Sequence, residues 1–326
     1  MVNFRTAHPW VAARQDNVRF AVQAFPLPDD PNPTESVIEA GLLAEQVGLD
    51  GFFIGDHPGY HIEPWLHLSN LAARTANVQL GSVVNCVFHR QPSMLARMTA
   101  DLDRISNGRV MLGLGIGWNA DEFAQLGVQF RPVPERQRGL EEALQIIDGM
   151  FGPEPITFTG ESWHVVNAHI TSPPVQRPRP PILVAGAGEK TLHQVVRWAD
   201  IANFGASKNT GNVSSDEATR QKLELIDRLC DEAGRDPATL LKSHFTSWLM
   251  LEETDKAAKA KLDRYFPNGL TEEQHRTRIF GSPDTVIAYF HGLVDLGFRY
   301  FVVQVQDSRD LETMRLLGEA VAPAFA

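Results

Sequence analysis

Val78-Gln-Leu-Gly-Ser-Val-Val84 and Val110-Met-Leu-Gly-Leu114 are short runs of β-branched and aliphatic residues, and between them Pro92 to Asn107-Gly108 carries apolar residues at helical spacing. The runs predict strands, and the interval predicts a helix that opens at Pro92 and stops at the Asn-Gly pair, a C-cap signal. Apolar runs buried on both faces and joined through a helix are parallel strands, because a parallel pair needs a crossover.

The same unit recurs about eight times along the 326 residues. Strands are expected at Val18–Ala24, Gly51–Ile54, Ile182–Ala185, Ile201–Phe204, Phe245–Leu251 and Tyr300–Val305 as well. Helices are expected at Asn32–Gly48, where Asn32-Pro33-Thr34-Glu35 reads as a capping box, and near Trp65–Thr75, Pro134–Met150, Glu189–Trp198, Asp216–Ala233, Asp255–Tyr265, Pro283–Asp295 and Leu311–Glu319. Ile156–Val166 alternates and turns at Thr159-Gly160, an inserted β-hairpin, and the five prolines of Pro173–Pro181 impose an extended segment. The expected fold is an α/β (β/α)8 TIM barrel with a small hairpin insertion, an open doubly wound sheet being the rival. Residues 1–17 are an expected N-terminal extension and 18–326 one domain.

Composition narrows function. Asp and Glu (40) exceed Lys and Arg (30), a net charge of −10 without a long basic run, which argues against a nucleic-acid groove. No apolar run approaches the length of a membrane span, and the first residues lack the apolar core of a signal peptide, so a cytoplasmic protein is expected. Cys86 and Cys230 form no disulfide framework and no zinc-ligand spacing. The run Glu141, Glu142 and Asp148 reads as a solvated helix face, Met94 and Met98 as core, and Trp65 and Trp163 as packing residues unless they cover a ligand.

In a barrel, chemistry gathers just beyond the C-terminal ends of the strands. Those positions hold Asp56, His57 and His61; Asn85, Cys86, His89 and Arg90; Gly115, Gly117, Trp118, Asn119, Asp121 and Glu122; Gly186, Ala187 and Gly188; Asn203 and Lys208; Gln306 and Asp307. His57 follows a buried strand and precedes Pro58-Gly59, a position for a general acid or base; the plainer reading is a loop histidine ordered by Asp56. His57, His61 and His67 lack metal-binding spacing, so no metal site is expected; a metal-dependent barrel hydrolase with Asp307 as ligand is the competing class. Gly113-Leu-Gly115-Ile-Gly117 is not a dinucleotide fingerprint. Its glycines either let a flat ligand approach the backbone or relieve crowding at the strand end. Gly186-Ala187-Gly188 leads into a helix N-terminus suited to an anion, with Lys190 or Thr191 as added donors.

As a set, Gly51-Phe-Phe-Ile-Gly-Asp56-His57, Leu80–Cys86 with Phe88–Pro92, Ile105–Trp118 with Asp121-Glu122-Phe123, and Pro173–Gly186 resemble the bacterial luciferase-like monooxygenase superfamily, and within it the branch dependent on the deazaflavin coenzyme F420. The resemblance spans about Val18 to Ala322. It implies a barrel holding the ring of F420, or FMN as the alternative, at the strand C-termini. A bulge at Val84-Asn85-Cys86, often with a non-prolyl cis peptide in this family, would press on the ring.

The resemblance further implies catalytic roles for His57 and Asp56, and cofactor contacts at Asn85, Cys86, Gly115, Gly117, Asp121, Gly186, Ala187, Gly188 and Asn203. Substrate contacts fall on Trp118, His89 and Lys208. Some sugar-phosphate dehydrogenases of the branch carry a catalytic glutamate where this chain has Trp118, so an apolar or aromatic small-molecule substrate is expected, although Lys208 stands where those relatives hold a phosphate-binding lysine. The implied function is hydride transfer with F420; the alternatives are an FMN monooxygenase using molecular oxygen and a catalytically silent flavin-binding relative. The family also implies a homodimer, and the segments Ile156–Val166 and Gly205–Ser215 are candidate lids.

Overall fold

In the computed structural model, residues 6–59 and 62–326 are described. Eleven strands form: β1 (Arg19–Gln23), β2 (Gly51–Ile54), β3 (Gln79–Cys86), β4 (Val110–Gly115), β5 (Ile156–Thr159), β6 (His164–Ala168), β7 (Ile182–Ala185), β8 (Ile201–Gly205), β9 (Leu241–Leu251), β10 (Ile279–Gly281) and β11 (Tyr300–Val305). The α-helices are α1 (Pro9–Ala12), α2 (Pro33–Gln46), α3 (Pro64–Ala72), α4 (Pro92–Ile105), α5 (Ala120–Gln125), α6 (Val133–Phe151), α7 (Glu189–Trp198), α8 (Asp216–Glu232), α9 (Asp255–Tyr265), α10 (Glu272–Thr277), α11 (Pro283–Leu296) and α12 (Leu311–Leu316).

Pairing runs β1-β2-β3-β4-β7-β8-β9-β11 and back to β1, every step parallel, so eight strands close a (β/α)8 barrel and no open edge remains in the ring. β5 and β6 form the separate antiparallel hairpin. Side chains alternate along each strand. Phe20 and Val22 of β1 join the large cluster under the helices, whereas Ala21 joins Phe53, Met111, Leu183, Ile201, Leu241, Tyr300 and Val302 in a second cluster inside the ring.

Several details depart from expectation. Residues 8–14 are not a bare extension. Trp10 is buried, its ring meets Tyr300 edge-on at 5.2 Å, and its indole N–H donates to Gln79 at the first residue of β3. Arg14 covers the indole and pairs with Asp50 at 2.9 Å. His8 is locked from both ring nitrogens: Nε2 donates to the Arg179 carbonyl at 2.7 Å and Nδ1 accepts the Trp10 N–H at 3.1 Å. These partners all precede or begin strands, so the segment seals the N-terminal end of the barrel.

Asn32 makes no side-chain cap for α2, so the expected capping box is absent there; the reciprocal pair forms instead at Thr271 and Gln274 of α10. Met94 is half-exposed rather than core. Glu142 is not on a solvated face: buried, it accepts backbone N–H bonds from Glu161, Ser162 and Trp163 at 2.8–3.0 Å and fastens the hairpin. Asp148 pairs with Arg179, a fully buried guanidinium that also meets Asp200 at 2.5 Å.

Candidate active site

The mouth of the barrel is organised by a break in register between β3 and β4. Ser82 faces Leu112, but the next pair is Asn85 with Leu114, so Val83 and Val84 bulge from the sheet. The Val83–Val84 peptide is cis, one step before the expected Val84-Asn85-Cys86 position. Gln23 donates to the Val83 carbonyl, and Gln304 donates to Gln23 at 3.0 Å, so neighbouring strands pin the bulge. Neither glutamine was singled out from sequence.

Asn85 and Cys86 support the bulge from behind. The Asn85 amide is fully buried, donating to Gly113 O at 2.9 Å and accepting the Trp65 indole N–H at 3.0 Å. Trp65 therefore packs rather than covers a ligand. Cys86 is buried, and burial pushes its thiol up to about 12, which removes thiolate chemistry at neutral pH. The glycines at and just beyond the end of β4 make room for protein. A Cβ on Gly115 would lie 2.8 Å from Val84, and one on Gly117, whose φ is +71°, would lie 2.7 Å from the Cys86 sulfur. Of the two readings left open above, crowding at the strand end is the one these contacts describe.

Asp56 and His57 are adjacent in sequence and have separate surroundings. Asp56 is buried and turns toward the β3–α4 loop, taking bonds from Arg90 at 2.9 Å, the Cys86 N–H at 3.2 Å and His89 Nδ1 at 3.3 Å. Burial works against its ionisation, but His89 and Arg90 outweigh it and hold the carboxyl below the ordinary aspartate range. Asp56 anchors the β3–α4 loop.

The partner of His57 is Glu122, whose Oε1 lies 2.8 Å from Nδ1. A carboxylate oxygen facing an imidazole nitrogen is an acceptor, so Nδ1 carries the hydrogen. Glu122 is 3% exposed, while the His57 side chain is 29% exposed at the mouth. Asp121, expected to contact the cofactor, is exposed on α5, one position before the buried Glu122. The available signal was spacing: Glu122 lies one helical turn beyond Trp118 and beside the buried Phe123.

α5 is short, and its neighbours fix it. Asn119 caps it by accepting the Asp121 N–H at 3.1 Å. Arg136, buried on α6, donates to the carbonyls of Ile116 and Gly117 and stacks over Phe130 at 4.2 Å. Trp118, 48% exposed, stands edge-on to His57 with ring centroids 5.9 Å apart. His57, Glu122 and Trp118 thus meet on one side of the mouth. His89 belongs to the Asp56 cluster, its side chain 3% exposed and packed against Phe123.

On the β7–β8 side the backbone is more open. Gly186 has a φ of +132°, and Gly188 begins α7 without a side-chain cap, leaving that end to backbone N–H groups. Ala187 is buried. Asn203 is buried and donates to Ser243 at 2.8 Å, so its amide is committed within the sheet. Lys208 is exposed in the following loop, which folds back through a Val213 N–H bond to Gly205 O. Trp163 packs against Phe88 and donates to Gly139 O at 2.9 Å.

Asp307 is buried and held by Arg309 at 2.6 Å. Among the described residues no three His, Cys, Asp or Glu side chains group as metal ligands, and no helix is long and apolar enough to cross a membrane. His61 lies outside the described residues.

Residues 18–285 match the family of luciferase-like monooxygenases. The chain belongs to that family. A relative from Microbacterium testaceum, an F420-dependent glucose-6-phosphate dehydrogenase, is 29% identical across 94% of this chain and 97% of its own. Among solved structures, the coenzyme F420-dependent tetrahydromethanopterin reductase of Methanopyrus kandleri superposes with a TM-score of 0.78 at 20% identity, covering 95% of this chain and all of that one. The oxygenating constituent of 3,6-diketocamphane monooxygenase from Pseudomonas putida, in complex with FMN, gives 0.76 at 20% identity, covering 95% and 99%. At those identities the two structures speak to the fold, and this luciferase-like chain shares it.

Proposed function

We propose that the chain is an oxidoreductase that passes a hydride between coenzyme F420 and a small organic substrate at the barrel mouth. The observation that carries the reading is the His57–Glu122 pair beside Trp118, a half-open proton-handling group next to an apolar bulge. The F420-dependent relative supports the choice of cofactor. The residues suit such a group. Val84, half-buried on the bulge, offers an apolar platform for a flat ring, and Gly186 to Gly188 offer backbone N–H groups to an acidic arm. Asn85, Cys86, Gly115 and Gly117 act by shaping that platform.

When bound, F420 supplies a ring carbon that accepts or gives the hydride. The chain supplies orientation and the proton. His57 takes or returns the substrate proton, and Trp118 walls the substrate side. That exposed indole favours an apolar or aromatic substrate, and Lys208 lies in the loop expected to meet it. A homodimer in the cytoplasm completes the reading.

Titration with F420 and with FMN, followed by cofactor fluorescence, tests it. Saturable F420 binding and F420-dependent turnover of an apolar alcohol or carbonyl compound are expected. FMN binding with no response to F420 would turn the reading into the oxygen-using alternative.

A further inference from the structure

The geometry points to Glu122 as the positioning residue of His57: its carboxylate holds the Nδ1 hydrogen, makes Nε2 the nitrogen that exchanges the substrate proton, and balances the charge that results. The inference rests on the role given to His57 above, but half of its test is independent of that role.

A buried carboxylate is costly unless something offsets its desolvation. Glu122 is 3% exposed, and His57 Nδ1, at 2.8 Å, is its ion-pair partner among the described residues. The arrangement is held from several sides. Asn119 caps α5, and Arg136 grips the carbonyls of Ile116 and Gly117 just ahead of it. Phe123, next to Glu122, is wedged between His89 and Phe130, with ring distances of 5.4 and 5.0 Å. The Pro58-Gly59 turn packs on α5, since a Cβ on Gly59 would lie 3.3 Å from both Glu122 Cγ and Gln125 Oε1. Both partners are thus fixed before any ligand arrives, which is the arrangement that lowers the cost of reaching a reactive geometry.

With the Nδ1 hydrogen committed to a carboxylate, the neutral ring has its lone pair on Nε2. For an alcohol substrate, Nε2 takes the O–H proton, while bound oxidised F420 would accept the C–H hydrogen with both bonding electrons, so that a carbonyl product and reduced cofactor would account for every atom and electron. The ring becomes an imidazolium, still donating Nδ1–H to Glu122, and the pair goes from one negative charge to none. Carbonyl reduction runs the same steps backwards.

Two measurements on the full chain test this. The first is 15N NMR of histidine-labelled protein at about pH 8.5, above the ordinary histidine range, with the His57 signal assigned by its loss in His57→Ala. The wild type is expected to show the Nδ1–H tautomer, and Glu122→Ala a tautomer mixture. The second is kinetic, with F420 affinity read separately by fluorescence. Glu122→Ala is expected to lose about 10²-fold in kcat, a usual size for disabling a general acid or base, while KM and F420 affinity stay within about threefold. Glu122→Gln, which keeps the shape and one acceptor oxygen, is expected to recover part of kcat and serves if the alanine variant does not fold. An unchanged tautomer in Glu122→Ala, or a loss in either variant confined to KM, cofactor affinity or the unfolding midpoint, would overturn the proposal. A wild type that shows the Nδ1–H tautomer but does not bind F420 would instead remove the cofactor reading and leave the pairing standing.

Discussion

The two ends of this barrel close the same eight strands with different balances of apolar area and charge. At the floor, Trp10 drives an indole between strand beginnings, and the seal joins apolar area and neutral bonds around His8 and Gln79 to the ion pairs Arg14–Asp50 and Arg179–Asp200. At the mouth, buried ions do the holding: Asp56 with Arg90 and His89, Glu122 with His57, and Arg136 on two carbonyls. Buried apolar area contributes stability directly, whereas a buried ion costs desolvation that its partner must offset. At the mouth that offset also fixes a position, since Asp56 holds the β3–α4 loop.

Substitutions should sort along that line. His57→Ala, at the mouth, is expected to lower turnover by about 10² to 10⁴ while the urea unfolding midpoint stays near wild type; a large stability loss with intact turnover would make His57 an ordinary loop residue. Asp56→Ala leaves Arg90 and the Cys86 N–H without their buried partner and is expected to cost about 3–5 kcal/mol, measured by urea unfolding. A cost under about 1 kcal/mol would show that water replaces that carboxylate easily.

At the floor, Trp10→Ala removes a buried indole and is expected to cost about 3 kcal/mol with turnover per folded molecule unchanged. Altered kcat in that variant would mean that the two ends are coupled through the barrel interior.

The smallest effect separates the ends by pH. Burial lowers the His8 imidazole from its ordinary 6.5, although nearby Asp200 works the other way and Arg179 acts in both senses, its carbonyl as acceptor and its charge in opposition. The unfolded chain therefore binds this proton more readily than the folded one. Stability from His8 is complete above pH 6.5 and declines as pH falls below it, by at most about 1.4 kcal/mol per unit. His244, held at about 3 by burial, adds a slope of the same sign. The Asp56 contribution is present above 3.8 and is lost only as pH falls below that value toward the depressed folded one. Urea midpoints at pH 7 and pH 5 should differ less in His8→Asn than in the wild type, and equal differences would remove His8 from the acid response.

The strands were legible because burial on both faces writes unbroken apolar runs, as in Gly51–Ile54 and Val110–Leu114. β9 begins at Leu241 rather than Phe245 because Ser243 and His244 are buried polar residues, which a hydropathy pattern assigns to a loop. α5 and α10 have six residues each, too few for a period to show, and β10 has three. At the site, sequence neighbours misled. Asp56 stands next to His57 yet bonds across to the β3–α4 loop, while Glu122, 65 positions away, supplies the contact. Spacing along the chain reports faces of one element; it says nothing of which two loops a closed ring brings together.

Trp10 and Tyr300 meet although 290 positions separate them, and Tyr300 begins the strand whose pairing with β1 closes the ring. Trp10 is synthesised long before Tyr300, so its indole has no complete socket until β11 has been made. The cork of the barrel therefore waits through most of synthesis. A nascent chain halted before β11 would lack both the Tyr300 ring that the indole meets and the strand that closes the ring on β1.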